Sequence, residues 1–212
     1  MNCCQCQGIE ELFSQQYVDK ELSRYRTKGP DKTTRMLTEA IQEGGVDGLT
    51  LLDIGGGVGA VQYELLSAGV RSATSVEAST AYVSAARAEA QQKGCAERVN
   101  YYHGNFVDLA ADIAPADIVT LDRVICCYHD MEKLVSLSVQ RARKLYGLVY
   151  PRDVWWVKLG LAVENIFERL RGSHYRAYAH PASEVEALVN SSGLKRRSYR
   201  QTLVWQVVVY TR

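Results

Sequence analysis

Short apolar runs alternate with longer stretches of helical periodicity along this chain of 212 residues. The run at residues 49–54 predicts a buried parallel strand, because apolar residues fall on both of its faces. Residues 60–68 predict a helix that Gly69 ends. Between them lie four glycines, which let the chain turn tightly and bring backbone N–H groups against a ligand: Gly55, Gly56, Gly57 and Gly59. A strand, a glycine turn and a helix N-terminus in this order predict a nucleotide-type pocket.

The rest of the pattern predicts five strand–helix units that a C-terminal hairpin closes. Helices are predicted at 9–26, 33–43, 79–93, 132–146 and 183–192, and further strands at 73–77, 99–103, 116–121, 146–150, 194–202 and 203–211. This order predicts an α/β, Rossmann-like fold with a seven-stranded, mostly parallel sheet. We expect one domain, with a cysteine-rich tail (1–8), an N-terminal helical cap (9–45) and a catalytic core (46–212). Within the core, an aromatic insertion at about 152–180 is long enough for an extra helix pair.

Two acids decide which nucleotide the pocket favours. Gly55, Gly57 and Ala60 fit the loose dinucleotide pattern, so a nicotinamide-dependent oxidoreductase stays open as an alternative. However, Asp53 comes just before the first glycine, where a carboxylate would repel a pyrophosphate and would suit an amine. Glu77 ends the next predicted strand and can accept hydrogen bonds from both ribose hydroxyls. Together the acids favour S-adenosylmethionine, which carries an amine, a ribose and a sulfonium.

Two motifs carry a family resemblance. The segment LLDIGGGVG at 51–59 resembles the first motif of class I S-adenosylmethionine-dependent methyltransferases, and VEAS at 76–79 resembles the second. The segments YRTKG, DRVICCY and YPRDVWW resemble a bacterial group labelled magnesium-protoporphyrin O-methyltransferase. This resemblance implies transfer of a methyl group to a small-molecule acceptor, and for the bacterial group to a porphyrin carboxylate.

The resemblance also implies further cofactor contacts. Asn105 and Phe106 stand where such enzymes contact the adenine, and Asp122 follows the fourth strand at the edge of the pocket. The helices ahead of the first strand commonly cover the cofactor in this family, so Arg26 is expected to meet the methionine carboxylate. Tyr17, Tyr25 and Lys28 are further lid candidates, although all four residues would also suit an ordinary solvated helix.

Candidate catalytic and acceptor-binding residues follow strands four and five. His129, oriented by Asp130, is the candidate general base, because a histidine titrates near neutral pH; an exposed loop histidine is the alternative. Arg123 and Arg152 could hold a carboxylate. Tyr128, Trp155 and Trp156 could form a wall for a flat acceptor, or the tryptophans could simply pack an added helix.

Composition narrows the possible partners. A net charge of +1 gives no bulk attraction for nucleic acid, and no apolar run approaches the length of a membrane span. The N-terminus lacks a signal-peptide pattern, so we expect a cytoplasmic protein with reduced cysteines. No metal is expected, although Cys3, Cys6, Cys126 and Cys127 are candidate thiol ligands. A non-catalytic cofactor-binding or metal-binding module therefore remains a further alternative.

Overall fold

The computed structural model describes the backbone of residues 4–212 and the side chains of residues 8–212. The helices are α1 (Cys4–Leu12), α2 (Gln15–Lys28), α3 (Lys32–Gln42), α4 (Ala60–Ser67), α5 (Thr80–Gln92), α6 (Phe106–Leu109), α7 (Met131–Val139), α8 (Trp155–Leu170) and α9 (Ala182–Ser191). The strands are β1 (Thr50–Ile54), β2 (Ser72–Glu77), β3 (Val99–His103), β4 (Ala116–Asp122), β5 (Ala142–Pro151), β6 (Lys195–Gln201) and β7 (Trp205–Thr211).

These strands form one seven-stranded sheet in the order β3-β2-β1-β4-β5-β7-β6. Only β7 runs antiparallel to its neighbours, and it lies between β5 and β6. The predicted Rossmann-like, mostly parallel sheet with a C-terminal antiparallel hairpin is confirmed. The carboxyl ends of β1, β2 and β4 meet at one edge, which is where ligands bind in sheets of this kind.

The sheet is buried on both faces, as the continuous apolar runs predict. Leu52 and Leu121 face a core built with α6, α7 and α9. Leu51 and Ile118 face the opposite core, which α3 and α4 cover. Because neighbouring residues in a strand point to opposite faces, a strand that is apolar at both Leu51 and Leu52 must be covered on both sides. A smaller cluster joins α2 to α4 and α5.

Three predicted elements are wrong in detail. The helix predicted at 132–146 ends at Val139, and β5 begins at Ala142, because pairing with β4 and β7 outweighs the local helical pattern. The insertion after strand five contains one long helix, α8, followed by residues 171–181 without regular structure, rather than a helix pair. The cap contains three helices, since the helix predicted at 9–26 is interrupted at Phe13 and Ser14.

Gly147 of β5 lets α3 pack directly on the sheet. A Cβ atom there would lie 2.8 Å from Leu37 Cδ1 and 3.2 Å from Ile41 Cδ1, and both side chains are fully buried. We predict that Gly147→Val lowers the free energy of unfolding by about 1–3 kcal/mol through overpacking. Urea denaturation followed by circular dichroism measures the change.

Gly160 supplies the matched control, because a Cβ added to this exposed position of α8 meets no atom within 4 Å. Gly160→Ala should raise stability by up to about 1 kcal/mol, since alanine is the better helix former. Equal stability of Gly147→Val and the unaltered protein would contradict the close packing of α3 on β5.

Candidate active site

A cleft opens at the carboxyl ends of β1 and β2. Five residues predicted to contact the cofactor or the acceptor line this cleft: Gly55, Glu77, Asn105, Phe106 and Tyr128. The other lining residues are Ile9, Ile54, Val76, Ala78, Gly104, Val124, Cys127 and Leu134. The structure therefore brings together residues that lie far apart in sequence, at the sheet edge predicted for a cofactor.

Glu77 lies at the end of β2, and its carboxylate holds the glycine loop. One oxygen, Oε2, accepts a hydrogen bond from the Gly57 N–H at 3.0 Å, and Oε1 accepts one from the Ser79 N–H at 2.9 Å. Burial raises the pKa of Glu77, although these backbone hydrogen bonds oppose the rise. A carboxylate oxygen accepts more than one hydrogen bond, so Glu77 keeps acceptor capacity for a ligand in the cleft.

Asp53 lies beneath the loop rather than in the wall of the cleft. Its Oδ1 accepts a hydrogen bond from Thr120 Oγ1 at 2.7 Å, and its Oδ2 accepts one from Gln62 Nε2 at 3.0 Å. Gln62 Nε2 also donates to Ser75 Oγ at 3.0 Å. Burial raises the pKa of Asp53 to about 7, against the lowering effect of the Thr120 and Gln62 hydrogen bonds. In this arrangement the Asp53 carboxylate positions the loop from inside the protein.

The glycines of the loop are required by its geometry. Gly55, Gly57 and Gly59 have φ values of 68°, 53° and 89°. Residues that carry a Cβ atom rarely adopt this region of backbone conformation. A Cβ on Gly56 would lie 2.3 Å from Gln62 Nε2 and would displace the polar cluster below. The loop therefore rests directly on the buried polar groups and leads into α4 at Ala60.

Asn105, Phe106 and Tyr128 also line the cleft. The Asn105 Oδ1 atom accepts a hydrogen bond from the Val107 N–H at 3.2 Å and so caps α6. Its Nδ2 donates to Asp108 Oδ2 at 3.0 Å and to the Tyr128 hydroxyl at 3.2 Å. Phe106 is 4% exposed and is also part of the core. The predicted adenine contacts of Asn105 and Phe106 remain a prediction.

Asp122 and Arg123 tie the helical cap to the end of β4. Asp122 Oδ2 accepts a hydrogen bond from Thr34 Oγ1 of α3 at 2.5 Å. The Arg123 guanidinium donates to Asp31 Oδ2 at 2.9 Å and to Asp122 Oδ1 at 3.3 Å. Arg123 has a φ of 62°, the only positive value at a non-glycine position among the residues that the structure describes. Its guanidinium thus pairs with two carboxylates, of which Asp31 also pairs with Arg24. The predicted contact of Arg123 with an acceptor carboxylate stays a prediction.

The lid candidates of α2 attach the cap to α4 and α5. Arg26 donates to Glu89 Oε2 at 2.8 Å and to Gln92 Oε1 at 2.5 Å. Tyr25 is 6% exposed, and its hydroxyl donates to Glu64 Oε1 at 3.4 Å. In this arrangement Arg26 and Tyr25 do not line the cleft, and neither do Tyr17 and Lys28.

The candidate base and the tryptophans also lie outside the lining of the cleft. His129 is exposed and stacks on Tyr128, with 5.2 Å between the ring centroids. Asp130 accepts a hydrogen bond from the Lys133 N–H at 3.0 Å, so its carboxylate caps α7. Trp155 and Trp156 are 71% and 41% exposed at the start of α8.

Arg152 lies beside the second tryptophan. Its guanidinium is 5.8 Å from the centroid of the Trp156 ring. Its Nη1 donates to the carbonyl oxygens of Thr202 and Leu203, at 3.4 and 3.2 Å. Both partners are neutral, so the positive charge of Arg152 is not balanced by them.

Several supporting residues were missed by reasoning from the sequence. Gln62, Ser75 and Thr120 carry no motif, yet the strand register pairs Asp53 with both Ser75 and Thr120. Only the register reveals this cluster. Tyr175 was missed as well, and its hydroxyl lies 3.2 Å from Cys127 Sγ. Hydrogen bonds from Cys126 and Tyr175 lower the pKa of the Cys127 thiol, against the effect of burial.

The metal hypothesis remains untested. Among residues 8–212, no three His, Cys, Asp or Glu side chains group closely enough to hold a metal ion. Cys3 and the side chain of Cys6 lie outside the described residues. Every helix between residues 4 and 212 is too short or too polar to span a bilayer.

Comparison with known proteins identifies the central part of the fold. Residues 52–144, which carry the glycine loop, Glu77 and Asn105, match the family model described as a methyltransferase domain. This segment is similar to methyltransferase domains. The match confirms the predicted enzyme class, an S-adenosylmethionine-dependent methyltransferase, rather than the nicotinamide oxidoreductase. None of the curated proteins compared with the sequence matches it.

Solved structures share the fold at low sequence identity. The magnesium protoporphyrin IX methyltransferase of Synechocystis PCC 6803, with bound S-adenosylhomocysteine, has a TM-score of 0.76 at 18% identity, over 98% of this chain and 99% of that one. An O-methyltransferase family protein of Burkholderia thailandensis has a TM-score of 0.69 at 15% sequence identity, and the match covers 95% of this chain and 61% of that one. The [4+2]-cyclase SpnF has a TM-score of 0.68 at 11% sequence identity, and the match covers 98% of this chain and 96% of that one. Similarity at this level of identity establishes the fold, whereas the reaction has to be inferred from the residues of the site.

The buried carboxyl group of Asp53 predicts a specific pH dependence of stability. Its folded pKa of about 7 lies above the ordinary value of 3.8, so the protonated folded state is favoured. The stabilising contribution is complete below the ordinary pKa and is lost as the pH rises towards 7, by up to about 1.4 kcal/mol per pH unit. We therefore predict that the stability difference between Asp53→Asn and the unaltered protein grows in favour of the variant from pH 5 to pH 7. Urea denaturation at several pH values measures this difference.

Asp117 provides a control of opposite sign. Burial opposes its charge, but hydrogen bonds from Thr50 and the nearby Lys144 outweigh burial and lower the pKa of Asp117. Its stabilising contribution is therefore present above the ordinary value and lost only in more acidic solution. The difference between Asp117→Asn and the unaltered protein should stay flat from pH 5 to pH 8. A flat difference for Asp53→Asn would contradict the raised pKa of Asp53.

Proposed function

We propose that this protein transfers the methyl group of S-adenosylmethionine to a carboxylate oxygen of a flat, largely apolar small molecule such as a porphyrin. The observation that carries the cofactor half of this proposal is the position of Glu77. Its carboxylate is buried at the end of β2, holds the glycine loop and lines the cleft. The acceptor half depends on the aromatic surface at the start of α8 and on the resemblance to the magnesium-protoporphyrin group.

In this proposal the cofactor lies along the loop at residues 55–59. Glu77 accepts hydrogen bonds from the ribose hydroxyls, and Asn105, Phe106 and Tyr128 contact the adenine. Asp53 and Asp122 act as positioning residues, because Thr120, Gln62, Thr34 and Arg123 occupy their carboxylates. Arg26 contributes by attaching the cap to α5.

The acceptor would lie against Trp155 and Trp156. α8 begins a few residues after the carboxyl end of β5, which is the same edge of the sheet that carries the cleft. Arg152 sits over the Trp156 ring and hydrogen-bonds only neutral carbonyl groups, so it is the better candidate for holding an acceptor carboxylate than Arg123. The magnesium protoporphyrin IX methyltransferase named above supports this acceptor class through its overall similarity.

The bound cofactor supplies an electrophilic methyl group on a sulfonium. The protein's contribution is to align the acceptor oxygen with that methyl group and to exclude water, so most of the rate gain comes from proximity and orientation. A carboxylate is ionised at neutral pH and needs no general base. His129 would matter only if the acceptor were a phenol or an amine.

The cofactor half is tested by Glu77→Gln. The amide presents one oxygen and an NH₂ group, so it cannot accept from Gly57, Ser79 and a ribose as the carboxylate does. We predict that the variant binds S-adenosylhomocysteine about 10- to 100-fold more weakly in calorimetry, as expected for the loss of a charge-assisted hydrogen bond. Glu97→Gln is the control, because Glu97 is exposed. Unchanged affinity in Glu77→Gln would exclude Glu77 from cofactor binding.

The acceptor half is tested with magnesium protoporphyrin and isotope-labelled S-adenosylmethionine. We expect a methyl ester product, a higher KM for the porphyrin in Trp155→Ala/Trp156→Ala, and unchanged turnover in His129→Ala. Mass spectrometry identifies the ester. Cofactor binding without turnover on any acceptor in a cell extract would favour the non-catalytic binding module instead. A tenfold loss of turnover in His129→Ala would point to an acceptor that must lose a proton.

A further inference from the structure

A second pocket, of about 460 Å³, lies at the edge of the sheet opposite the cleft. Its walls come from the loop after α3, the amino ends of β1 and β5, the start of β6 and the end of β7. Four of its nine lining residues carry a positive charge: Arg143, Lys144, Arg197 and Arg212. None of these nine residues has an acidic side chain. A concave surface lined in this way attracts anions.

β-bulges occur at three of these cations. Residues 116 and 118 of β4 pair with residues 142 and 145 of β5, so Arg143 and Lys144 together oppose the single residue Asp117. Residues 196 and 198 of β6 pair with the consecutive residues 210 and 209 of β7, so Arg197 is an extra residue in β6. Bulges re-aim side chains relative to the regular alternation of a strand. The two bulges therefore explain how cations from separate strands come to line one pocket.

The positive charges of the pocket are mostly not paired with carboxylates. Lys144 Nζ lies 3.5 Å from Asp117 Oδ1. Among residues 8–212, no carboxylate side chain forms an ion pair with Arg143, Arg197 or Arg212. Arg212 Nη2 donates a hydrogen bond at 3.3 Å to a backbone carbonyl oxygen, which is neutral. Because like charges that are close together repel one another, an anion that binds between them is stabilised.

A helix dipole accounts for only one of the four cations. A Cβ atom on Gly44 would lie 3.2 Å from Arg197 Cζ and 3.3 Å from its Nη2, so the guanidinium lies directly on the loop after α3. A cation at this position complements the C-terminal end of α3. Arg143 and Lys144 lie on a strand, where no helix dipole explains their charge. The group as a whole thus exceeds what the fold itself requires.

The chemistry of the pocket indicates the class of anion. Guanidinium groups present paired N–H donors that match the oxygens of a phosphate group. A pocket of this size, with four cations, has the room and the charge for more than one such group. The cations surround one concave site, and the chain has a net charge of only +1, so an extended nucleic acid is disfavoured.

We propose that this pocket binds a small molecule that carries two or more linked phosphate groups. Arg143 and Arg197 hold its oxygens from two sides, and Lys144 and Arg212 add to the positive potential. The site is independent of the proposed methyl transfer, because it lies at the opposite edge of the sheet from Glu77 and the glycine loop.

The test uses the full chain and inorganic tripolyphosphate in titration calorimetry at low and at physiological salt. We expect one tripolyphosphate per chain, with an affinity that falls as the salt concentration rises. Arg143→Gln/Arg197→Gln should bind it about 10- to 100-fold more weakly, because each change removes charge-assisted hydrogen bonds. Arg35→Gln/Arg71→Gln is the matched control, since both residues are exposed and neither lines the pocket.

The control variant should bind tripolyphosphate as the unaltered protein does. No binding to the unaltered protein, or an equal loss of affinity in both double variants, would overturn the proposal. Citrate that binds as tightly as tripolyphosphate would overturn the assignment to phosphate groups. Binding of a single-stranded oligonucleotide without binding of tripolyphosphate would assign the surface to nucleic acid and would also overturn the proposal.

A second measurement needs no variant and so does not depend on how the double variant folds. Tripolyphosphate should shift the amide NMR signals of Gly44, Gly45 and Thr211 in the unaltered chain and leave those of Gly55 and Gly57 in place. Shifts confined to the glycine loop would place the anion in the cleft and would overturn the proposal. Calorimetry with S-adenosylhomocysteine measures cofactor binding separately, and this affinity should be unchanged in Arg143→Gln/Arg197→Gln.

Discussion

A buried carboxyl group beneath the glycine loop holds the site together. Asp53 on β1 receives hydrogen bonds from Thr120 on β4 and Gln62 on α4, and Gln62 extends the cluster to Ser75 on β2. Four elements therefore meet at one polar point inside an otherwise apolar sheet. Because a buried polar group is costly unless it is hydrogen-bonded, this cluster allows few alternative arrangements of the strands and the loop.

Most of the fold could be predicted from the sequence, because the strands and the glycine turn each have a recognisable local pattern. Apolar runs such as Leu51–Ile54 and Val207–Tyr210 indicate buried inner strands, and four glycines in five positions indicate the turn. Sequence periodicity failed at residues 140–146, where Arg143 and Lys144 fit a helix end as well as the exposed first residues of a strand. Only pairing with β4 and β7 decides between these states, and pairing is a property of the whole sheet.

Site residues that belong to a sequence motif were predicted. Site residues that come together only through strand pairing or other long-range contacts were missed. Gly55 follows β1 and Glu77 is the last residue of β2, and both line the cleft. The environments of Asp53 and Arg26 could not be inferred, because Thr120 lies 67 residues from Asp53 and Glu89 lies 63 residues from Arg26. Long-range polar partners of this kind leave no periodic trace in a single sequence.

The conformation of Arg123 has a consequence for the helical cap. A non-glycine residue in the left-handed region costs about 1–2 kcal/mol, and a glycine would avoid that cost. A glycine, however, could not reach Asp31 and Asp122 with a guanidinium group. The ion pairs that fasten α2 and α3 to β4 thus hold the backbone of Arg123 in a strained state. Detachment of the cap and relaxation of this strand end are therefore one coupled event, in which the released strain partly offsets the lost ion pairs.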